Sequence, residues 1–529
     1  MARPTLRAEA RRARAPLARK TLNKCIFAHC GQKAHAAFTS GSRHCVDRHS
    51  ADDGKPMTQF CSLQIFNMTP YDADLSLSLM ERHNWEPPYD RTPMQFQGAR
   101  VAPFSSTELL PLHIADDTKT AEFRLNFAIG YGQVGTIGDG WAPIKGVGEQ
   151  TKKFLDAGER KGYLPTFGSA AGDFRVLEVE YGTGEDENDR HLAIAIIPRI
   201  DAKTWMSRLP DETMLRDLTL PGAHDAGTAA DIIDLSRCQD LTIAEQLDAG
   251  VRYFDIRLTP YYPLQICHGL SRTGKFFEKD CAAPMAEFLR DRGPEETIVL
   301  CVNSEVDDNP LENFHDNLIG LLERSLSDTF QTPGAGLRRL EAGQIQLPLK
   351  ELRGKIVLLR RYPLQSGGNP IYAPLSGIQM IRFTDKGGTN RYPWPQNSDT
   401  FAELKLKGET GVNYQLDHYK PSDPYLQAYA IQDNYEKQTQ DAKTAYVQQY
   451  SDVARTEYSG TWFINFLSLA GPETPRGYAT GFKNINARIF QYIVQAGVGR
   501  YGTLPLDFVS DPEGLLDLMI ASNQKLFVR

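Results

Sequence analysis

The sequence predicts an α/β protein: a closed (β/α)8 arrangement over 201–529, preceded by an all-β, sandwich-like domain over 58–200 and a basic tail over 1–57. Three observations carry this reading. Eight short apolar runs alternate with helical patterns in the C-terminal part, which argues for a parallel sheet and, at eight strands, for closure. From 58 to 200 the pattern changes to alternating strands with little helix, separated by turns rich in Gly, Pro and Asp. Before that, eleven Arg or Lys residues stand against only Glu9 and Asp47 within the first fifty positions, with no apolar stretch of the kind a secretory signal needs.

The eight strand candidates of the C-terminal part are LTLP (218–221), RYFDIR (252–257), LQICHG (264–269), TIVLCVNSEV (297–306), KIVLLRRY (355–362), VNYQLDHY (412–419), WFINFLS (462–468) and LPLDFV (504–509). Helical segments are predicted over Ile243–Ala249, Ala282–Arg290, Asn313–Ser325 and Asn484–Ala496. In the N-terminal part, strands are predicted at CSLQIFNMT (61–69), DLSLSLM (74–80), AEFRLNFAIGYG (121–132), DFRVLEVEYG (173–182) and HLAIAIIP (191–198), as an antiparallel sandwich joined to the barrel at Arg199–Thr204. The run Trp85, Pro87, Pro88, Tyr89 and the Gly-rich stretch 130–141 bear a faint resemblance to lipid-binding β-sandwiches of the aegerolysin or actinoporin kind.

The chemistry is concentrated in 45 residues. His224 follows LPGA and precedes Asp225; His268 follows the run ending in Cys267 and precedes Gly269; between them stand Asp255 and Arg257. On a strand, Asp255 and Arg257 share one face while Phe254 and Ile256 take the other, which makes an inward polar pair. Imidazole is the side chain suited both to take and to give a proton near neutral pH, so two of them at neighbouring strand ends fit a base and an acid acting on one phosphodiester.

Residues 205–529 resemble the catalytic domain of bacterial-type phosphatidylinositol-specific phospholipase C. The resemblance rests on Trp205-Met206, LPGAHDAGT (220–228), IAEQLDAGVRYFDIR (243–257), CHG (267–269), RGKIVLLRRY (353–362), YPWPQNSDTF (392–401) and WFINFLSL (462–469), in the family's order. It implies an irregular TIM barrel. It also implies roles: His224 as general base oriented by Asp507, His268 as general acid with Asp255 as partner, and Arg257 on the phosphate. Asp225 is expected to hydrogen-bond Arg257 or the reacting hydroxyl. Arg361 and Asp417 resemble residues that bind inositol hydroxyls, Tyr419 the aromatic against the ring face, and Glu305 an inward carboxylate on the fourth strand. The implied reaction is attack of the inositol 2-hydroxyl on phosphorus, giving diacylglycerol and inositol 1,2-cyclic phosphate.

Arg257 stands where eukaryotic relatives place an acidic residue and use calcium. A fixed guanidinium supplies the same charge with bidentate geometry, so activity without a metal or other cofactor is expected. Two departures weigh on specificity. Ala223 and Ala226 replace small polar residues around the first histidine, and Asn303 or Ser304 stands where a lysine is expected. Another glycerophospholipid headgroup, or a non-catalytic lipid-binding barrel, remains as an alternative; a glycerophosphodiesterase would need a metal-binding carboxylate cluster where Arg257 sits.

A net charge of -7 gives no general attraction to nucleic acid. The longest apolar runs fall far short of the ~20 residues that span a bilayer. The expected partner is phosphatidylinositol or a related phospholipid, met from outside by a soluble enzyme peripheral to the membrane, with an apolar rim over Ala229–Leu235 that includes Ile232, Ile233 and Leu235. The compartment is not fixed by the sequence. Cys25, Cys30 and Cys45 with His29 and His44 invite a zinc reading, but their spacing fits no standard finger, and the tail is read as disordered.

Overall fold

The computed structural model describes residues 59–79, 99–108, 110–114, 123–129, 133–137, 166–167, 174–182, 190–230, 232–305, 313–329, 337–338, 347–362, 365–366, 369–370, 378–379, 382–383, 391–392, 429–435, 439–456, 461–481 and 484–527. All of them lie in Pro56–Arg529, one of two units of the chain; the other, Met1–Lys55, holds the predicted basic tail and lies outside the described residues.

The C-terminal part is built on one sheet in which eight parallel strands lie side by side. Their order is Leu337–Arg338, Lys355–Arg360, Thr297–Ser304, Tyr253–Leu258, Thr219–Ala223, Gly502–Leu506, Trp462–Asn465 and Tyr429–Gln432. Parallel strands need long crossovers, and the predicted helices supply several of them. They are found at Ile243–Asp248, Ala283–Asp291, Phe314–Thr329 and Ile485–Ala496. Thr242 opens the first with a capping box, its hydroxyl accepting from the Glu245 amide while the Glu245 carboxylate returns to the Thr242 amide. Gln440–Thr456 and Leu515–Ala521 are further helices that the sequence reading did not pick out.

Six of the eight predicted strands hold their places in this parallel sheet. LQICHG does not: Gln265–His268 runs antiparallel to Tyr253–Leu258 and forms a hairpin with Ser271–Phe276. Its apolar character comes from packing on its neighbour rather than from membership of the parallel array. VNYQLDHY lies outside the described residues. The other parallel strands are Leu337–Arg338 and the short Tyr429–Gln432.

At the N-terminal ends of the strands a buried ion pair ties the array together. Arg252 Nε donates to Glu296 at 2.9 Å with both side chains fully buried. Glu296 also accepts from the Met206 and Ser207 amides, which anchors the Trp205–Arg208 turn. Further Arg252 donors reach the carbonyls of Leu247 and Lys203, so the charge is both paired and hydrogen-bonded, as burial requires.

Every described element between 59 and 198 is a strand, and each of the five predicted N-terminal strands is present. They fall into two five-stranded sheets. The sheet built on Ala73–Leu79 and Phe123–Ile129 is antiparallel throughout, as expected. The other is mixed, because Gln59–Asn67 and Arg190–Pro198 pair in parallel. These are the first and last strands of the segment, and the intervening chain through the second sheet serves as their long crossover. Leu177, Ala195 and Ile197 from this mixed sheet share one buried apolar cluster with Leu516 and Ile520 of the C-terminal helix. Arg175 pairs with Glu513 at 3.0 Å and with Asp517 beside that contact.

Candidate active site

Strand ends converge on one cluster. His224 follows Thr219–Ala223, Glu305 follows Thr297–Ser304, Arg361 follows Lys355–Arg360 and Asp507 follows Gly502–Leu506, while Asp255 and Arg257 project from Tyr253–Leu258. All are at the carboxyl ends of parallel strands, the end where such sheets gather functional side chains. His224, His268 and Asp507 are each followed at once by a residue with positive φ: Asp225 (φ 42°), Gly269 (φ 56°) and Phe508 (φ 49°). Asp225 and Phe508 hold this conformation at a cost of about 1–3 kcal/mol each, offset by the hydrogen bonds around them. Phe508 donates its amide to the Cys238 carbonyl at 2.7 Å.

His224 is 7% exposed and is held at both ring nitrogens. Nδ1 lies 2.7 Å from Asp507 Oδ1, and Nε2 lies 2.6 Å from Arg257 Nη2. Burial disfavours its protonated form, but the Asp507 and Asp225 carboxylates outweigh burial and the Arg257 charge, raising its pKa to about 9. Gln239 fixes the backbone here, its amide donating to the carbonyls of His224 and Leu506 at 2.8 Å each.

His268 stands 6.3 Å from His224 between ring centroids, with the rings at 86°. Its Nδ1 is 2.9 Å from the Ser236 carbonyl, an acceptor only, so Nδ1 carries a proton and Nε2 is the atom turned to the cluster. The carboxylate at Nε2 is Asp225, at 3.4 Å. This corrects the expected pairing with Asp255. Asp255 is taken up instead by Arg257 at 3.3 Å and by Arg361 at 3.2 Å. Burial raises the Asp255 carboxyl, but these two guanidiniums prevail and hold it below the usual carboxylate range, whereas burial pushes Asp225 up against Arg257 and the two histidines.

Arg257 is the hub. Its Nε is 2.7 Å from Asp225 and its Nη1 is 2.8 Å from Glu305. Glu305 also accepts from the Gly269 amide, tying the His268 turn to the Thr297–Ser304 strand. Three carboxylates around one guanidinium hold it charged and oriented despite burial.

The residues expected at inositol divide. The Arg361 side chain, 2% exposed, pairs with Asp255 at 3.2 Å and faces Asp433 at 3.7 Å, level in the sheet with Arg257. Asp417 and Tyr419 lie outside the described residues. Sequence reasoning missed Ser236, Cys238 and Gln239, which come from an irregular segment with no periodicity to flag them. It also missed Lys443, fully buried on the Gln440–Thr456 helix, 2.8 Å from the Asn434 carbonyl and shifted down to about 7 by burial. The expected rim is exposed at Ile233 (62%) and Leu235 (61%), and Leu270 (88%), two residues beyond His268, extends it.

A 26% identity over 322 residues joins 58% of this chain to 88% of a 1-phosphatidylinositol phosphodiesterase from Staphylococcus aureus strain Newman. Over that part the chain is similar to bacterial 1-phosphatidylinositol phosphodiesterases. The Listeria monocytogenes relative is 31% identical over 171 residues, covering 30% of this chain and 49% of its own length. Among solved structures, a Staphylococcus aureus phosphatidylinositol-specific phospholipase C mutant aligns over 61% of this chain and 98% of its own, with TM-score 0.45 and 24% identity. The Listeria monocytogenes phosphatidylinositol-specific phospholipase C aligns over 61% and 99%, with TM-score 0.42 and 22% identity. No protein-family model matches the chain.

Proposed function

We propose that the chain is a phosphatidylinositol-specific phospholipase C that cleaves the glycerol-side phosphodiester by paired histidine catalysis without a metal. One observation supports this above the others: two imidazoles 6.3 Å apart, His224 held by Asp507 and by the Arg257 guanidinium, with the Asp225 carboxylate within 3.5 Å of the Nε2 atoms of both rings. The names of the curated relatives supply the substrate class.

In this reading Asp507 holds the Nδ1 proton of His224, leaving the Nε2 lone pair to take the proton of the inositol 2-hydroxyl. The resulting oxygen attacks phosphorus and the bond to the glycerol oxygen breaks. His268, protonated at Nε2 beside Asp225, gives its proton to that oxygen, so diacylglycerol leaves neutral. Arg257 carries the charge on the non-bridging oxygens, the part a calcium ion plays elsewhere. Closure of the eight-strand array into an irregular barrel is the arrangement that brings these strand ends together, with the β segment over 58–200 as an accessory domain against it.

Approach to the lipid is assigned to Ile233, Leu235 and Leu270, exposed beside the two histidine turns. No helix among the described residues is long and apolar enough to cross a membrane. Asn303 and Ser304, where a lysine is expected, favour a second reading in which another inositol-bearing or glycerophospholipid headgroup is taken. The test is headgroup release from mixed vesicles in excess chelator. Turnover of phosphatidylinositol well above phosphatidylcholine is expected; preference for phosphatidylcholine selects the second reading.

A further inference from the structure

Cys238 is fully buried beside the two catalytic candidates and has no part in the proton transfers above. Its sulfur lies 3.9 Å from Asp225 Oδ2 and 3.7 Å from His268 Nδ1. One ligand atom each from His224, Asp225 and Cys238 all fall within 4.8 Å of one another. A nitrogen, an oxygen and a sulfur at that spacing are a donor set for a small, borderline-soft divalent ion, and only modest side-chain movement would bring them to the ~2.0–2.3 Å of zinc coordination.

We propose that this triad is an inhibitory binding site for a thiophilic divalent cation of the zinc type, competing with substrate for the catalytic cluster. Arg257 opposes a cation here, but it does not decide the balance. Asp225, Asp255, Glu305 and Asp507 are four carboxylates against the two guanidiniums of Arg257 and Arg361, leaving an excess of two negative charges when the imidazoles are neutral. Calcium is excluded by chemistry rather than charge, since it takes six to eight oxygens and gains little from thiolate or imidazole. On binding, the ion takes the Cys238 sulfur as thiolate and displaces Arg257 from His224 Nε2; the thiol proton and any proton on that nitrogen leave to solvent, and the metal-bound ring can no longer take a proton from substrate. Inhibition rests on the activity proposed above; occupation of the site does not.

Two measurements separate these. Full-length protein freed of metal is titrated with Co²⁺ and read by absorption, where a thiolate ligand gives a sulfur-to-metal charge-transfer band and four-coordination gives intense visible bands. Both are expected in the wild type and in a Cys25→Ser/Cys30→Ser/Cys45→Ser protein, and both are lost in Cys238→Ala and Cys238→Ser. Removing a direct ligand should weaken Zn²⁺ binding by more than the ~10–100-fold that loss of an outer-shell partner costs. Turnover is then compared with and without Zn²⁺ within each protein, so that differences in basal rate cancel; inhibition reversible by chelator is expected in the wild type and in the tail variant, and in neither Cys238 variant. A wild-type Co²⁺ spectrum without a thiolate band overturns the site even if neither Cys238 variant folds. Equal Zn²⁺ affinity in Cys238→Ala, or loss of binding in the tail variant, overturns it as well. A thiolate spectrum with turnover unaffected by Zn²⁺ overturns the inhibition.

Discussion

Arg257 Nη2 lies 2.6 Å from His224 Nε2. A guanidinium only donates, so Nε2 accepts and the ring proton sits on Nδ1, toward Asp507 at 2.7 Å. In the neutral ring, which gains population as pH rises toward the His224 pKa of about 9, the base is thus held in its reactive tautomer with its lone pair covered by the group proposed to bind phosphate. In the proposed mechanism, substrate phosphate draws Arg257 to its own oxygens and uncovers that lone pair for the hydroxyl. Arg257→Lys keeps the charge but loses the planar fork. Its kcat is expected to fall by about 100-fold or more, in the range for loss of one transition-state donor, with no rescue by calcium. Near wild-type kcat in steady-state assays would contradict this use of Arg257.

Because Asp507 and Asp225 raise the His224 pKa to about 9 against burial, removing one of those carboxylates lowers it. A general base works when deprotonated, so the limb of kcat/KM that rises with pH follows His224. In Asp507→Asn this limb is expected to move to lower pH while maximal turnover drops, since the Nδ1 proton loses its anchor. The profile should be measured on a soluble substrate, so that lipid binding does not enter. A limb that stays in place argues against His224 as the base.

The Asp225–His268 contact of 3.4 Å makes a separate forecast about the acid. An acid matters most when the leaving oxygen is a poor one. His268→Ala and Asp225→Asn should therefore lose roughly 100-fold or more on a dialkylglycerol-type leaving group and much less on a nitrophenol, whereas Asp255→Asn should lose similar factors on both. If Asp255→Asn shows the leaving-group dependence and Asp225→Asn does not, the partner assignment is reversed.

At the rim, Ile233→Ser, Leu235→Ser and Leu270→Ser should each weaken partition onto vesicles by roughly 1 kcal/mol, about half the value of burying a full aliphatic side chain. Hydrolysis of a soluble substrate should be little changed. Equal losses in both assays point to folding rather than to the interface.

At the opposite ends of the strands, Glu296→Gln leaves the Arg252 charge buried without its counter-ion. Loss of about 3–5 kcal/mol of stability is expected in urea titration. A change below 1 kcal/mol would mean that water reaches Arg252.

Asp255 and Arg257 were legible because strand alternation gives them one face, and the two histidines because each ends a short apolar run; Asp507 was legible only through the resemblance of LPLDF to the family's motif. The link between Asp225 and His268 was not, since it depends on the left-handed turn at Asp225, a conformation that sequence does not announce for an aspartate. LQICHG misled for a different reason: a short apolar run does not tell a parallel strand from the antiparallel arm of a hairpin. Tyr429–Gln432 is too short to show a period, and Cys238 and Gln239 reach the site from a loop. The mixed pairing of Gln59–Asn67 with Arg190–Pro198 escaped notice because its partners are more than a hundred residues apart.

The most direct test of paired histidine catalysis by an arginine-held site is the identity of the first product in the absence of metal. Phosphorus NMR of phosphatidylinositol vesicles with the enzyme in excess chelator should show inositol 1,2-cyclic phosphate first, with His224→Ala and His268→Ala at least ~100-fold slower. An acyclic inositol phosphate as the first product, or turnover that vanishes in chelator and returns with calcium, would contradict it.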